Sequence, residues 1–143
     1  MAVVLPNEIQ GLLNDVRQNI PSATEIWLIG SRANNIARED SDWDFLVFGD
    51  DSSLKKLKCM TEYRRENMDF LVVFDGDNFI EPWGKPQKSG SLTKWEWNRT
   101  SDCSAQYKQK KFIPDSDQED SDLESGTFIE KIVNAIKVLP KTT

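Results

Sequence analysis

Apolar residues recur along the first half of the chain with two different periods, and these periods predict its helices and strands. An apolar stripe at helical spacing predicts an amphipathic helix over residues 6–20. Its members are Ile9, Leu12, Leu13, Val16 and Ile20. Short apolar runs predict strands over 25–29, 45–48 and 67–74, the last apolar enough to be covered on both faces. A further helix is predicted to begin at Ser52, between the second and third strands.

The apolar pattern of the second half predicts one more strand and two more helices. The strand is expected over 91–98 and a short helix over 101–111. A closing helix is predicted over 127–139, because Thr127 and Glu130 have the spacing of a capping box. The apolar stripe of this closing helix comprises Phe128, Ile129, Ile132, Val133, Ile136 and Leu139.

The composition indicates a globular protein and excludes several kinds of catalytic and metal site. With 143 residues, of which 38% are hydrophobic, the chain is expected to form a single globular domain. It contains no histidine, which excludes the usual zinc sites and both Ser-His-Asp and Cys-His catalysis. Cys59 and Cys103 lack a paired spacing and are predicted to be free thiols. Since neither a signal peptide nor a membrane-length apolar run is recognisable, the expected location is the cytoplasm.

The charges are segregated along the chain. Residues 115–124 hold six carboxylates and no base, so the net charge of −6 arises from this segment, which is predicted to be a loop. Residues 85–111 hold seven basic and two acidic residues, with aromatic residues between them. Such a segment can bind a nucleobase, a single strand or a phosphorylated acceptor. Alternatively, Trp95 and Trp97 close one end of the core and the lysines are solvated.

Candidate chemistry lies at two junctions of the first half. Gly30 and Ser31 follow the first strand and open a predicted helix over 31–37, whose free N–H groups and serine hydroxyl can bind an anion. Asp42 and Asp44 open the second strand and point to the same face, because strand side chains alternate. Two carboxylates at this spacing suit a hard cation such as Mg²⁺. Together, the two junctions predict a nucleoside triphosphate site.

A third carboxylate, Asp69, opens the strand over 67–74 much as Asp44 opens the strand before it. A charge in such an apolar strand requires a partner, because burial of an unpaired carboxylate is destabilising. A metal ion or a cationic substrate complex would supply that partner. Asp69 is therefore a third candidate for the same site.

These motifs resemble the signature of the DNA polymerase β-like nucleotidyltransferase superfamily. Gly-Ser-Arg-Ala at 30–33 and Ala-Arg-x-x-Ser-Asp-x-Asp-Phe-Leu-Val at 37–47 are typical of its minimal, single-domain members. The likeness covers about residues 6–75, roughly half of the chain. It implies an α+β fold, in which a mixed, twisted sheet carries helices mainly on one face. The basic and aromatic extension over 82–112 and the C-terminal helix would be added to that core.

The resemblance also implies an activity, the metal-dependent transfer of a nucleoside monophosphate from an NTP to an unidentified hydroxyl acceptor. ATP is the first candidate for the NTP. The implied nucleotide-binding residues are Gly30, Ser31 and Arg32, and the implied ligands of two Mg²⁺ or Mn²⁺ ions are Asp42, Asp44 and Asp69. Asp69 would also help to deprotonate the acceptor. The alternative for Arg32 is an ordinary surface arginine.

A binding protein is the competing hypothesis. Minimal members of the superfamily often carry glycine where this chain has Asn35, and some superfamily members have lost activity. The chain would then be an antitoxin-type or inactive protein that acts on a protein partner such as a helical toxin. A third hypothesis is a nucleic-acid-binding module formed by residues 85–111. The three aspartates favour the enzyme, since a pseudoenzyme has no need of them.

Overall fold

The computed structural model describes residues 5–34, 41–83, 88–114 and 126–140. The helices are α1 (Asn7–Asn19), α2 (Asp51–Cys59) and the single-turn α3 (Leu92–Trp95), with 3-10 turns at Ser31–Ala33 and Thr61–Tyr63. The strands are β1 (Glu25–Ile29), β2 (Trp43–Phe48), β3 (Met68–Val73), β4 (Asn78–Ile80), β5 (Ser89–Ser91), β6 (Asn98–Arg99), β7 (Ser104–Pro114) and β8 (Gly126–Leu139). Helices and a mixed sheet together form the expected α+β fold.

The eight strands form one sheet in the order β5-β4-β3-β2-β1-β8-β7-β6. Within the described chain β2 and β3 pair in parallel, and every other neighbouring pair is antiparallel. Parallel strands begin at the same edge of a sheet. The first residues of β2 and β3 therefore lie side by side.

α1 and α2 pack against one face of this sheet. The predicted stripe of α1 is confirmed, since Ile9, Leu13 and Val16 are buried in the core on this face. The N-cap of α2 is Asp50 rather than a serine, because its carboxylate accepts the backbone N–H of Ser53 at 3.0 Å. The two longer helices thus lie on one face, as expected.

The other face is covered by α3 and by the far strands of the sheet, which curl over it. Trp27 of β1 and Leu46 of β2 are fully buried on this face. They belong to one apolar cluster with Tyr107 of β7 and Val133 of β8. The curl therefore brings β7 and β8 across from the beginnings of β2 and β3.

The predicted closing helix over 127–139 is wrong: this segment is the strand β8, between β1 and β7 in the sheet. Its burial has a period of two, with Val133 and Ala135 buried and Ile132 61% exposed. Its many β-branched residues favour a strand, and pairing on both sides outweighs a weak helical pattern. The capping-box interpretation of Thr127 fails with the helix.

Two further predictions in the second half are reversed. The expected helix over 101–111 is the strand β7, in which Ala105 and Tyr107 are buried while Gln106 is exposed. Most of the expected strand over 91–98 is the single turn α3, which is capped by Ser91 and ends at Glu96 in the left-handed region. The aromatic residues suggested a strand, but the serine cap decides the local structure here.

Some predictions fall partly or wholly on residues that the structure does not describe. Of the helix predicted over 31–37, the described part is the 3-10 turn Ser31–Ala33 followed by Asn34. Asn35 and the acidic segment over 115–124 lie outside the described residues. Among the described helices, none has the length and apolarity that crossing a membrane requires.

Candidate functional site

Asp44 and Asp69 lie directly beside each other near the beginnings of β2 and β3. The parallel register pairs Asp44 with Asp69, flanked by the pairs Trp43–Met68 and Phe45–Phe70. Side chains at paired positions of neighbouring strands point to the same face. The two carboxylates predicted from separate apolar runs are thus brought together by the pairing of β2 with β3.

The pKa of the Asp44 carboxyl is raised from its ordinary value of 3.8 to about 7. Burial is the largest cause, followed by the negative charge of Asp69 and a hydrogen bond with it, and then by the charge of Asp42. Lys88 acts in the opposite direction. Two carboxylates this close disfavour double ionisation, so a proton or a cation between them is stabilising.

Gly30, at the end of β1, leaves the space that the Asp44 carboxylate occupies. Its φ is +76°, and a Cβ atom built on it would lie 2.6 Å from Oδ2 of Asp44. Any side chain here would be strained in its backbone and would also displace the carboxylate. The space left by the missing side chain of Gly30, which was predicted to allow close approach of a ligand, is thus occupied by the Asp44 carboxylate.

Asp42 is exposed and lies just before β2. It is close enough for its charge to affect Asp44, but it does not line the cavity that contains Asp44 and Asp69. Among the described residues, no group of three or more cysteine or acidic side chains is arranged to hold a metal ion. The structure therefore brings two of the three predicted aspartates into contact and leaves Asp42 at the margin.

Arg32 fastens the turn after β1 to the beginning of β2. Its Nη2 donates to the carbonyl oxygen of Ser41 at 2.8 Å, and its guanidinium lies 4.5 Å from the ring centroid of Trp43. A cation over an indole in this position is favourable. This arginine thus connects the two predicted junctions.

Asp44 and Asp69 line a cavity of about 570 Å³. The wall opposite comes from α3, β7 and β8; the charged residues around the cavity are Lys88, Lys94, Lys108, Glu81, Glu96 and Glu130. Lys108 pairs with Glu96 at 2.7 Å and with Glu130 at 3.7 Å. Lys88 and Lys94 form no ion pair within the described ranges. Their charge is therefore available to an anionic ligand.

Tyr107 is a cavity residue that the motifs did not identify. Its ring stacks on Trp95 and Trp97, with centroids 4.9 Å and 6.0 Å away. Its hydroxyl oxygen accepts the backbone N–H of Gly30 at 3.1 Å. The two tryptophans thus pack against the apolar cluster that contains Trp27 and Tyr107, in agreement with the interpretation that they close one end of the core, and they support a residue of the site. The alternation along β7 would have identified Tyr107 had the segment been recognised as a strand.

Asn34 is a second residue that the motifs did not identify. Its side-chain amide donates to the carbonyl oxygens of Gly30 at 2.8 Å and Asn134 at 3.0 Å, and its Oδ1 accepts the N–H of Asn134 at 2.7 Å. Since Leu28 pairs with Ile136, the same register would place Gly30 opposite Asn134. The Asn34 amide replaces that backbone pairing where the chain turns away from β8.

The donors in the cavity suit a hard divalent cation. Asp44 and Asp69 both offer carboxylate oxygens, which are the ligands that Mg²⁺ prefers, and Asp42 lies close by. A cation shared by the pair would offset the repulsion that raises the pKa of Asp44. The arrangement therefore offers two adjacent carboxylates next to a cavity that is large enough for a small ligand.

Comparison with known proteins gives one finding. A search of curated proteins returned no significant match, and a search of solved structures returned none either. A family model, described as a nucleotidyltransferase domain, matches residues 9–126. The match includes the turn at Gly30 and both carboxylates of the pair. Because it covers well over half of the 143 residues, the chain belongs to the nucleotidyltransferase domain family.

Proposed function

We propose that this protein transfers a nucleoside monophosphate from an NTP to a hydroxyl acceptor in a reaction that requires a divalent metal ion. Family membership supports nucleotidyl transfer in general. The observation that carries the metal dependence is the contact between Asp44 and Asp69 at the wall of a cavity next to Gly30. A carboxyl group whose pKa is raised by burial and by an adjacent carboxylate, as that of Asp44 is, is expected where a cation belongs.

The metal would be held by Asp44 and Asp69, with Asp42 contributing from the exposed side. Mg²⁺ or Mn²⁺ held there would supply positive charge that stabilises the attacking and leaving oxygens of an in-line displacement. The protein positions the two carboxylates. The register of β2 and β3 places them side by side, and the missing Cβ of Gly30 leaves space for Asp44. Positioning of this kind accounts for much of the rate of a phosphoryl-type transfer.

The nucleotide phosphates would lie between the turn after β1 and the lysines that line the cavity. Gly30, Ser31 and Arg32 are the proposed residues of the turn, and Arg32 already ties that turn to β2. Lys88, just before β5, and Lys94 of α3 would add positive charge from the lining of the cavity. A triphosphate carries several negative charges, which these cations and the metal would balance.

The transfer itself exchanges one phosphorus–oxygen bond for another. The acceptor oxygen forms a bond to the α phosphorus, and the bond from that phosphorus to the bridging oxygen of the leaving pyrophosphate breaks. The hydroxyl proton of the acceptor passes to Asp69. ATP as the donor, a toxin-like protein as the acceptor and nucleic-acid binding through residues 85–111 stay predictions.

The test is transfer of label from each of the four α-labelled NTPs, with Mg²⁺ or Mn²⁺, to any component of a cell extract. The wild-type protein should label at least one acceptor, whereas Asp44→Asn and Asp69→Asn should label none. Asp51→Asn is the matched control, because Asp51 lies on the exposed surface of α2, away from the cavity, and forms an ion pair with Lys55 of the same helix. Full transfer by the Asp44→Asn protein would refute the proposal.

A further inference from the structure

The side chain of Tyr107 is held rigidly at the site although it comes from β7, far along the chain from the motif residues. Trp95 and Trp97 stack on its ring with interplanar angles of 23° and 26°. The residue is only 5% exposed. Aromatic pairs of this kind add to the packing energy and restrict the ring. The position of its hydroxyl group is therefore fixed by packing within the protein, without a bound ligand.

The hydroxyl of Tyr107 uses only part of its hydrogen-bonding capacity within the protein. Its oxygen accepts the N–H of Gly30 at 3.1 Å. Its proton has no acceptor within hydrogen-bonding distance among the described residues. Buried phenol groups usually donate as well as accept. A donor that is held in place without an acceptor indicates a ligand oxygen.

The surroundings of this donor define the ligand that it fits. Tyr107 lines the same cavity as Gly30, Asp44 and Lys94. Burial and the nearby charge of Asp44 raise the pKa of the Tyr107 hydroxyl, with the Gly30 bond opposing them, so the group keeps its proton at neutral pH. A neutral donor next to the turn at Gly30, in a cavity that Lys94 also lines, is suited to a phosphate oxygen.

We propose that the Tyr107 hydroxyl donates a hydrogen bond to a phosphate oxygen of the bound nucleotide while it accepts the N–H of Gly30. Tyr107 is then a nucleotide-positioning residue that fixes the phosphates against the turn after β1. This inference rests on the proposed function, since it requires a nucleotide in the cavity. It assigns a role to the aromatic segment that neither Gly30-Ser31 nor the aspartates indicate.

The test compares Tyr107→Phe with Tyr63→Phe. Each substitution removes one hydroxyl that accepts a single hydrogen bond: from Gly30 for Tyr107, and from Asn19 at 2.7 Å for Tyr63. Tyr63 is 8% exposed and belongs to the core on the opposite face, away from the cavity. The two variants therefore differ mainly in whether the lost hydroxyl faces the proposed ligand.

Binding of each NTP, of tripolyphosphate and of the four nucleosides would be measured by calorimetry with Mg²⁺ present. Tyr107→Phe should weaken binding of the NTP and of tripolyphosphate about tenfold to a hundredfold, as loss of one hydrogen bond to a charged oxygen predicts. Nucleoside binding should be unchanged, and Tyr63→Phe should bind all three kinds of probe as the wild type does.

Three results would overturn the inference while the proposed function stands: unchanged triphosphate affinity in Tyr107→Phe, an equal loss in Tyr63→Phe, or an equal loss of nucleoside affinity. If the wild-type protein binds neither an NTP nor tripolyphosphate, the proposed function fails first and the inference with it. Thermal unfolding of both variants checks that each is folded at the temperature of the titrations.

Discussion

Oδ2 of Asp44 occupies the space beside Gly30 where a side chain would begin. A Cβ atom on Gly30 would lie 2.6 Å from this oxygen, and the φ of +76° is one that other residues rarely adopt. The turn after β1 and the carboxylate on β2 are therefore compatible only because residue 30 has no side chain. This single relationship links the two motifs of the site.

Gly30→Ala is expected to lose both stability and transfer activity. The backbone strain alone is about 1–3 kcal/mol, because a φ of +76° with a ψ of −156° lies in a region nearly restricted to glycine, and the displaced Asp44 adds to it. Gly76→Ala is the matched control, because Gly76 also has a positive φ of +87° but has nothing within 4 Å of the added Cβ. Denaturant unfolding should show a backbone penalty in both variants and a larger loss of stability in Gly30→Ala, and label transfer should be lost only in Gly30→Ala. Equal activity in the two would contradict the role of the Gly30–Asp44 contact.

The stability of the metal-free protein should fall as the pH rises from 5 to 8. Asp44 has a pKa of about 7 in the folded protein and an ordinary value of 3.8, so between these values the folded state binds more protons than the unfolded state. Stability then decreases with pH until Asp44 is ionised in both states. Asp44→Asn should lack this decrease, so its melting temperature relative to wild type should increase from pH 5 to pH 8.

The matched variant for this pH series is Asp69→Asn, which removes the neighbouring charge and leaves Asp44 in place. It should shift the wild-type decrease towards lower pH, because one cause of the raised pKa is gone. Melting curves in a chelator at four or five pH values would measure both effects. Parallel curves for wild type and Asp44→Asn across the whole range would contradict the raised pKa.

Mg²⁺ should raise the melting temperature of the wild-type protein, and a chelator should reverse the effect. A ligand that binds only the folded state stabilises it by about 2.7 kcal/mol at a hundred times its dissociation constant. Asp44→Asn and Asp69→Asn should lose this response, whereas Asp51→Asn on α2 should keep it. A response of equal size in all four proteins would place the metal elsewhere.

Asn34→Ala should destabilise the protein by about 1–3 kcal/mol, because it breaks three hydrogen bonds and removes the partner of the Asn134 N–H and carbonyl groups. The Gly30 carbonyl keeps the N–H of Ala33 at 3.2 Å. Asn14→Ala is the control, since Asn14 accepts one long, exposed hydrogen bond of 3.4 Å from Gln10. Urea unfolding should show a change below about 0.5 kcal/mol for the control. A comparably small change in Asn34→Ala would show that the turn does not depend on β8.

Val133→Ala and Ile132→Ala distinguish the strand β8 from a helix. Val133 is 4% exposed and Ile132 is 61% exposed, as neighbours on opposite faces of a strand are. Val133→Ala should therefore destabilise the protein by about 2 kcal/mol, and Ile132→Ala by less than about 1 kcal/mol. On a helix with the predicted stripe, both would be buried, and the two losses would be similar.

The apolar pattern of the C-terminal strand β8 is compatible with both a helix and a strand. Ile129, Ile132, Val133 and Ile136 satisfy a helical stripe, yet the same letters are β-branched and pair well with neighbours. In the structure all four pair with β7, and Ile136 also pairs with the edge that β1 offers between Ile26 and Leu28. That edge belongs to a segment about a hundred residues earlier, which no local window contains.

The first half of the chain carried enough local information to predict α1, the three central strands and the residues around Gly30, Asp44 and Asp69. Their apolar periods match their secondary structure, and the two motifs stand at the ends of strands. The sequence alone did not show which strands, and therefore which side chains, become neighbours in the sheet. The parallel pairing sets Asp44 beside Asp69 and leaves Asp42 exposed, and the curl of the sheet delivers Tyr107 to Gly30. The apolar period of a helix or strand depends on residues that are close in sequence. The raised pKa of Asp44 and the position of the Tyr107 hydroxyl depend instead on contacts between distant segments, which form only when the sheet assembles.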